Sequence, residues 1–178
     1  MDKVETYIKG VEIIIPTIVY DERGSFSEIC SDKFPFIVAQ QNQVKNIDSN
    51  IFRGLHLQVG EFGQKKVVMC VKGSILDVVL DIRPNSPTFG LIYWIELNEK
   101  SRKMIFIDSG LAHGYLTLVP DTEVIYSCSS LYEPKAESGV RLNDPKFNIS
   151  LVNPVSKETV NFEQLIMSDK DKNWPLWK

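Results

Sequence analysis

The apolar positions of this 178-residue chain fall into short runs separated by turns. VEIIIPTIVY (11–20) opens the series. KKVVMCVKG (65–73) and SILDVVLDI (74–82) meet at Lys72-Gly73-Ser74, which reads as a hairpin turn. A loop rich in Pro, Asn and Gly (83–90) leads to LIYWIEL (91–97), the polar turn NEKS leads to RKMIFI (102–107), and GYLTLV (114–119) and TEVIYSCS (122–129) flank Pro120-Asp121. Val, Ile, Tyr and Thr dominate these runs, as suits a pleated, half-buried surface. A helical period is nearly absent, and short helices are expected only near 32–36 and 158–166. A turn roughly every ten residues predicts an all-β sandwich or barrel that rolls up to protect its edges, as a jelly roll does. The first run is apolar and looks like an edge strand in need of a partner. No repeat or low-complexity tract divides the chain, so 1–178 is expected to be a single domain.

Composition narrows the partners. Hydrophobic residues make up 43%, enough for a proper core, and the formal net charge is -3. That charge excludes a strongly basic nucleic-acid surface. No apolar run approaches the roughly 18–20 residues that span a bilayer, and no charged-then-apolar leader opens the chain. A cytoplasmic protein without nucleic-acid or membrane partners is expected. Cys30, Cys70 and Cys128 are odd in number, widely spaced and free of CxxC pairing; Cys70 and Cys128 read as small core residues.

A β-barrel with a polar interior is a natural ligand container, which draws attention to the only two histidines, His56 and His113. In FRGLHLQ (52–58), strict alternation puts Phe52, Gly54, His56 and Gln58 on one face and Arg53, Leu55 and Leu57 on the other. A bulge at Gly54 would bring Arg53 and His56 together. With no HxH or HxxxH spacing, a metal site is not expected.

FRGLHLQ, DVVLDIRPNSPTFG (77–90), GLAHGY (110–115), DERGSF (21–26), LYEPKAESGVRLNDP (131–145) and MSDKD (167–171) together resemble the dTDP-4-dehydrorhamnose 3,5-epimerase family. The resemblance runs from about residue 11 to 173. It implies a cupin-type jelly-roll barrel or sandwich with a few short helices, a homodimer, and no cofactor or metal. It also implies an activity: inversion of C3 and/or C5 of a nucleotide-linked 4-keto-6-deoxy sugar through an enolate. The sugar is a hexose or heptose, dTDP- or GDP-linked, destined for cell-surface polysaccharide or other deoxysugar products.

That chemistry needs a base on one face of the ring, an acid on the other, and a stabiliser for the developing oxyanion. The resemblance makes His56 the base and Asp171 the carboxylate that holds its second nitrogen. Tyr126 becomes the acid; a phenol with a pKa of about 10 is protonated at neutral pH. Lys66 lies by the enolate, while Lys65 points to the other face. His113 contacts the sugar near the carbonyl. Arg53 suits the diphosphate, because a guanidinium fork matches phosphate oxygens. Arg23, Glu28, Gln40, Gln41, Asn42, Tyr132, Glu137 and Lys170 match further substrate-contacting positions, with Arg23 reaching the partner subunit's site and Tyr132 stacking on the nucleobase. Asp77 sits in an apolar strand, where a carboxylate needs a partner, and is expected to brace a catalytic histidine. Asp81 is expected to anchor a turn.

The departures gather at the nucleotide end. QQNQV (40–44) stands where the family reads QDNHS, an extra residue precedes FRGLH, and Leu57, Leu131 and Leu142 replace aromatics. Two other functions compete. A nucleotide-sugar 3,4-ketoisomerase of the same fold carries a second histidine just after the RGxH histidine, where this chain has Leu57-Gln58. A non-catalytic sugar-binding barrel would lack the base or its carboxylate, and this chain keeps both.

Overall fold

The computed structural model describes residues 1–177. Among them the strands, in chain order, are β1 (Asp2–Glu5), β2 (Val11–Ile15), β3 (Ile18–Asp21), β4 (Gly24–Ser27), β5 (Gln40–Asn46), β6 (Phe52–Gln58), β7 (Lys66–Lys72), β8 (Ser74–Asp81), β9 (Ile92–Asn98), β10 (Met104–Ile107), β11 (Leu111–Thr117), β12 (Thr122–Cys128) and β13 (Glu137–Gly139). A single α-helical turn, α1 (Asp169–Lys172), follows near the C-terminus. The strands form a six-stranded sheet in the order β1-β2-β10-β7-β12-β5, a five-stranded sheet in the order β13-β6-β11-β8-β9, and a separate ribbon, β3-β4.

The chain passes repeatedly from one sheet to the other, and this is a jelly roll. Lys72-Gly73-Ser74 is a turn but not a hairpin, contrary to the sequence reading: β7 belongs to the six-stranded sheet and β8 to the five-stranded one. The reason lies in what the two strands bury. Val68 and Cys70 of β7 share one core cluster with Ile75 and Val79 of β8, so the strands face each other across the interior. Gly73 makes the corner with φ +79°, and a Cβ there would sit 2.5 Å from Thr122 Oγ1, at the return crossover.

VEIIIPTIVY is also not one continuous edge strand. It breaks at Pro16, which has no N–H to donate to a ladder. Its first half, β2, is flanked by β1 and β10, while its second half, β3, pairs with β4. The true edge, β1, is the polar DKVE, too short and charged to stand out. Residues 32–36 form a turn and bends rather than helix; Phe34 and Phe36 pack on the outer face of the six-stranded sheet. Within 158–166 only one 3-10 turn forms, Phe162–Gln164. Among the described residues no helix is long and apolar enough to cross a membrane.

One core cluster fills the space between the sheets, around Ile13, Val68, Ile75, Val79, Ile105 and Val124. A second covers the back of the five-stranded sheet, where Leu142, Phe147, Leu151 and Leu165 of the C-terminal segment pack. That segment then returns to the open end of the sandwich and delivers α1 to β6.

Candidate active site

At this open end the facing strands turn polar. From the five-stranded sheet, β6 supplies Arg53 and His56 and β11 supplies His113 and Tyr115; from the six-stranded sheet, β7 supplies Lys66 and β12 supplies Tyr126. All of these line a cavity of about 830 Å³, together with Glu137, Ser168, Lys170 and Asp171. A smaller cavity of about 290 Å³ adjoins it, sharing His56, Lys66, Tyr126 and Glu137 and adding Gln40, Asn42, Gln58, Gln64, Cys128 and Tyr132.

The bulge in β6 lets Arg53 and His56 share the cavity. Opposite β11, His56 pairs with His113 but Arg53 pairs with Tyr115, so β6 carries one residue more than its partner. Gly54, at φ +135°, absorbs it, and a Cβ there would lie 2.5 Å from Gly114 Cα and 2.9 Å from His113 O. The Gly54–Leu55 peptide is cis.

His56 is held by Asp171. The ring Nε2 donates to Asp171 Oδ1 at 2.6 Å, which leaves Nδ1 as the nitrogen with a free lone pair. Asp171 is only 3% exposed. It also accepts from the Gly54 N–H at 3.3 Å, and its own N–H donates to Ser168 Oγ, the N-cap of α1. Burial pushes its carboxyl up, but the hydrogen bond from His56 and the Gly54 and Ser168 contacts outweigh this and hold it below the usual carboxylate range.

The opposite sheet offers groups of another kind. Burial raises the Tyr126 phenol, so it stays protonated; the nearby Cys128, Glu137 and Tyr132 raise it further, against a pull from Arg53. Burial lowers Lys66, opposed by Cys128, Asp77 and Glu137. Among the described residues, no protein hydrogen bond is made by the Tyr126 hydroxyl, Lys66 Nζ or the terminal nitrogens of Arg53. Three side chains thus present free donor groups to one cavity. Lys65 faces away and pairs with Asp108.

His113 has its own carboxylate: Nε2 lies 2.9 Å from Asp77 Oδ2, and Asp77 is fully buried. Asp81 takes the turn role, accepting from Arg83, Ser86 and Thr88. Tyr132 donates to Glu137 Oε2 at 2.8 Å and Lys170 donates to Glu137 Oε1 at 2.7 Å, a chain along the cavity rim. Those bonds lower Glu137 against the upward push of burial, and they raise Tyr132 and Lys170. Gln40 accepts from the Tyr132 N–H and donates to Asn42.

Three of the sequence-derived candidates lie outside this constellation. Gln41 alternates to the other face of β5 and bonds Ser127. Arg23 and Glu28 are exposed on and just after the β3-β4 ribbon, where Arg23 pairs with Asp21. Several contributors escaped the sequence reading. Asn46, 1% exposed, accepts from Arg53 Nε at 2.9 Å and donates to Thr122 O, so it aims the guanidinium and ties the sheets together. Gln58 pins the loop at 131–133 by donating to Leu131 O and accepting from the Glu133 N–H. Trp174 packs against His56. Alternation already places Gln58 on the face of His56 but gives it no role; the others depend on tertiary neighbours.

A carboxylate-braced imidazole on one wall and a protonated phenol on the other define the class: a jelly-roll isomerase that can take a proton from one side of a substrate and return one to the other. Comparison with known proteins agrees. The model of the dTDP-4-dehydrorhamnose 3,5-epimerase family matches residues 5–178. The dTDP-4-dehydrorhamnose 3,5-epimerase of Methanothermobacter thermautotrophicus is 35% identical over 180 residues, covering 96% of this chain and 91% of its own. The crystal structure of the Bacillus anthracis enzyme of the same name, with TDP and pyrophosphate bound, superposes with a TM-score of 0.88 at 30% identity, covering 99% of each chain. A 3'-monoepimerase from Streptomyces bikiniensis in complex with dTDP-quinovose reaches 0.84 at 31% identity, over 96% of this chain and 85% of that one. The chain belongs to the dTDP-4-dehydrorhamnose 3,5-epimerase family and is an epimerase of nucleotide-linked sugars.

Proposed function

We propose that this enzyme inverts C3 and C5 of a dTDP-linked 4-keto-6-deoxy sugar, with His56 as base and Tyr126 as acid. The observation that carries the reading is their origin in opposite sheets around one cavity. Returning a proton to the face it left would restore the starting sugar, so inversion requires two groups on two sides. His56 Nδ1 takes the proton α to the ketone, and Asp171 stabilises the imidazolium that forms. The electron pair moves onto the C4 carbonyl oxygen, where Lys66 donates to the enolate, and His113, braced by Asp77, stands alongside. Tyr126 then delivers its proton to the opposite face of the carbon. Exchange with solvent returns His56 and Tyr126 to their starting states, and the second carbon follows the same course.

Arg53 and Lys170 bind the diphosphate, while Gln40, Asn42, Tyr132 and Glu137 receive the nucleoside end. The nucleotide assignment is supported by the TDP and the dTDP-sugar held by the two solved relatives. Arg23, Glu28 and Gln41 are proposed to act in a homodimer, with Arg23 serving the neighbouring site. The exposed apolar residues Val19, Tyr20 and Phe26 on the β3-β4 ribbon support such an interface. Three unpaired thiols support work in the cytoplasm, in the making of surface polysaccharide or other deoxysugars.

The test is turnover of dTDP-4-keto-6-deoxyglucose in deuterated buffer. Two deuterium atoms per product are expected, and none with His56→Asn, while its melting curve matches wild type. Near-normal exchange by His56→Asn would remove it as the base. The match to a 3'-monoepimerase favours one second reading, inversion at C3 alone, which incorporation of a single deuterium would establish.

A further inference from the structure

Trp174 follows α1 and packs edge-on against the His56 ring, with centroids 6.1 Å apart and planes at 69°. Its seat is built from both sides. Gly139, opposite His56 in the β13-β6 ladder, has no space for a side chain: a Cβ there would lie 2.3 Å from Trp174 Cε2 and 2.7 Å from Leu55 O. Lys170 Nζ lies 5.9 Å from the indole centroid while bonded to Glu137. Trp174 Nε1 is buried without a partner. A buried indole N–H usually finds an acceptor; here close packing over Gly139, not a protein hydrogen bond, seats the ring. Trp174 lines neither cavity.

We propose that Trp174 is a positioning residue that fixes the plane of the His56 ring and so keeps Nδ1 aimed at the substrate carbon. The proposal rests on the reading of His56 as base. The covalent tether at Cβ and the Asp171 bond at Nε2 leave the ring only rotation about the line that joins them; the indole packed on the ring blocks that rotation. Proton abstraction from carbon is sensitive to such placement, since a shift of about 1 Å costs on the order of a hundredfold in rate. Because Trp174 lines neither cavity, its loss acts chiefly on kcat, with a smaller effect on KM through Lys170.

Two readouts test this. The chain has two histidines, so imidazole NMR signals can be assigned with His56→Asn. In ligand-free protein, Trp174→Leu is expected to shift and broaden the His56 ring signals and leave those of His113 in place. In turnover, Trp174→Leu is expected to lower kcat about ten- to a hundredfold with KM within about twofold, and Trp174→Phe to restore most of the rate. Unmoved His56 signals overturn the proposal whatever the substrate. Unchanged kcat, or a defect confined to KM, overturns it too. Should the leucine variant not fold, Trp174→Phe supplies the same test through a smaller His56 shift, and unmoved signals again overturn it. A wild-type enzyme inactive on every 4-keto sugar would sink the functional reading instead, and broadening of the His56 signals in ligand-free protein, which loss of the indole ring current alone does not cause, would still decide whether the indole holds the ring.

Discussion

Lys66 shows at the scale of one residue how chemistry competes with stability. Its ammonium points into the cavity without a carboxylate partner, and burial pulls its pKa below 10.5. The unfolded chain therefore binds more protons than the folded one between the folded pKa and 10.5, so this site's contribution to stability rises with pH across that window. Lys66→Met keeps the stem and removes the half-buried charge. It is expected to melt at or above the wild-type temperature at neutral pH and to lose the rise on the alkaline side, while kcat drops. Differential scanning calorimetry from pH 7 to 10 checks this, and a lower melting temperature with the alkaline rise retained contradicts it. Single residues were unevenly legible in the sequence. His56, Lys66 and Tyr126 are recognisable because their motifs are local. Alternation along β5 separates Gln40 and Asn42 from Gln41, though the motif match alone placed all three at the substrate. Asn46 and Trp174 gain their roles only from Arg53 and His56, which the fold brings to them.

Among the elements, β6 was legible and its corners were not. A glycine inside an apolar strand signals a bulge, and the bulge at Gly54 brings Arg53 and His56 to one cavity. Gly54 and Gly114 meet across the ladder so closely that neither tolerates a Cβ: Gly114's would lie 2.6 Å from Arg53 O. Gly54→Ala also places a side chain at φ +135°. Overpacking and strain of this kind cost about 1–3 kcal/mol each. Gly54→Ala is expected to lower stability by that order in urea unfolding and to reduce activity at temperatures where it remains folded; a variant with wild-type stability contradicts the tight approach. The turn at Lys72-Gly73-Ser74 was visible, but a turn residue does not say whether the next strand pairs alongside or crosses the core. That choice depends on which faces find each other, here Val68 and Cys70 against Ile75 and Val79. The single turn of α1 is polar DKDK, with no apolar period to announce it. Its place follows from Ser168 at the N-cap and Asp171 reaching Gly54 and His56.

For the whole molecule, two claims meet. The first is assembly. If Arg23 serves the neighbouring site, subunits with different lesions should repair each other. His56→Ala lacks the base but lends a sound Arg23, and Arg23→Ala keeps the base. Mixed under conditions that exchange subunits, the two weak variants are expected to regain activity above their sum. Strict additivity, or a fully active monomer by light scattering, contradicts the dimeric site. The second claim is central: the sandwich itself provides the two faces of the reaction, His56 from the five-stranded sheet and Tyr126 from the six-stranded one. Tyr126→Phe removes one oxygen and little volume, so the fold should hold. His56 can still form the enolate in this variant, but the donor on the opposite face is gone. The decisive measurement is the ratio of deuterium incorporated to product inverted, read by NMR at C3 and C5 separately in deuterated buffer. The account predicts that Tyr126→Phe raises this ratio, with exchange outlasting inversion. Exchange and inversion falling together by the same factor at both carbons, or full inversion by the variant, would contradict it.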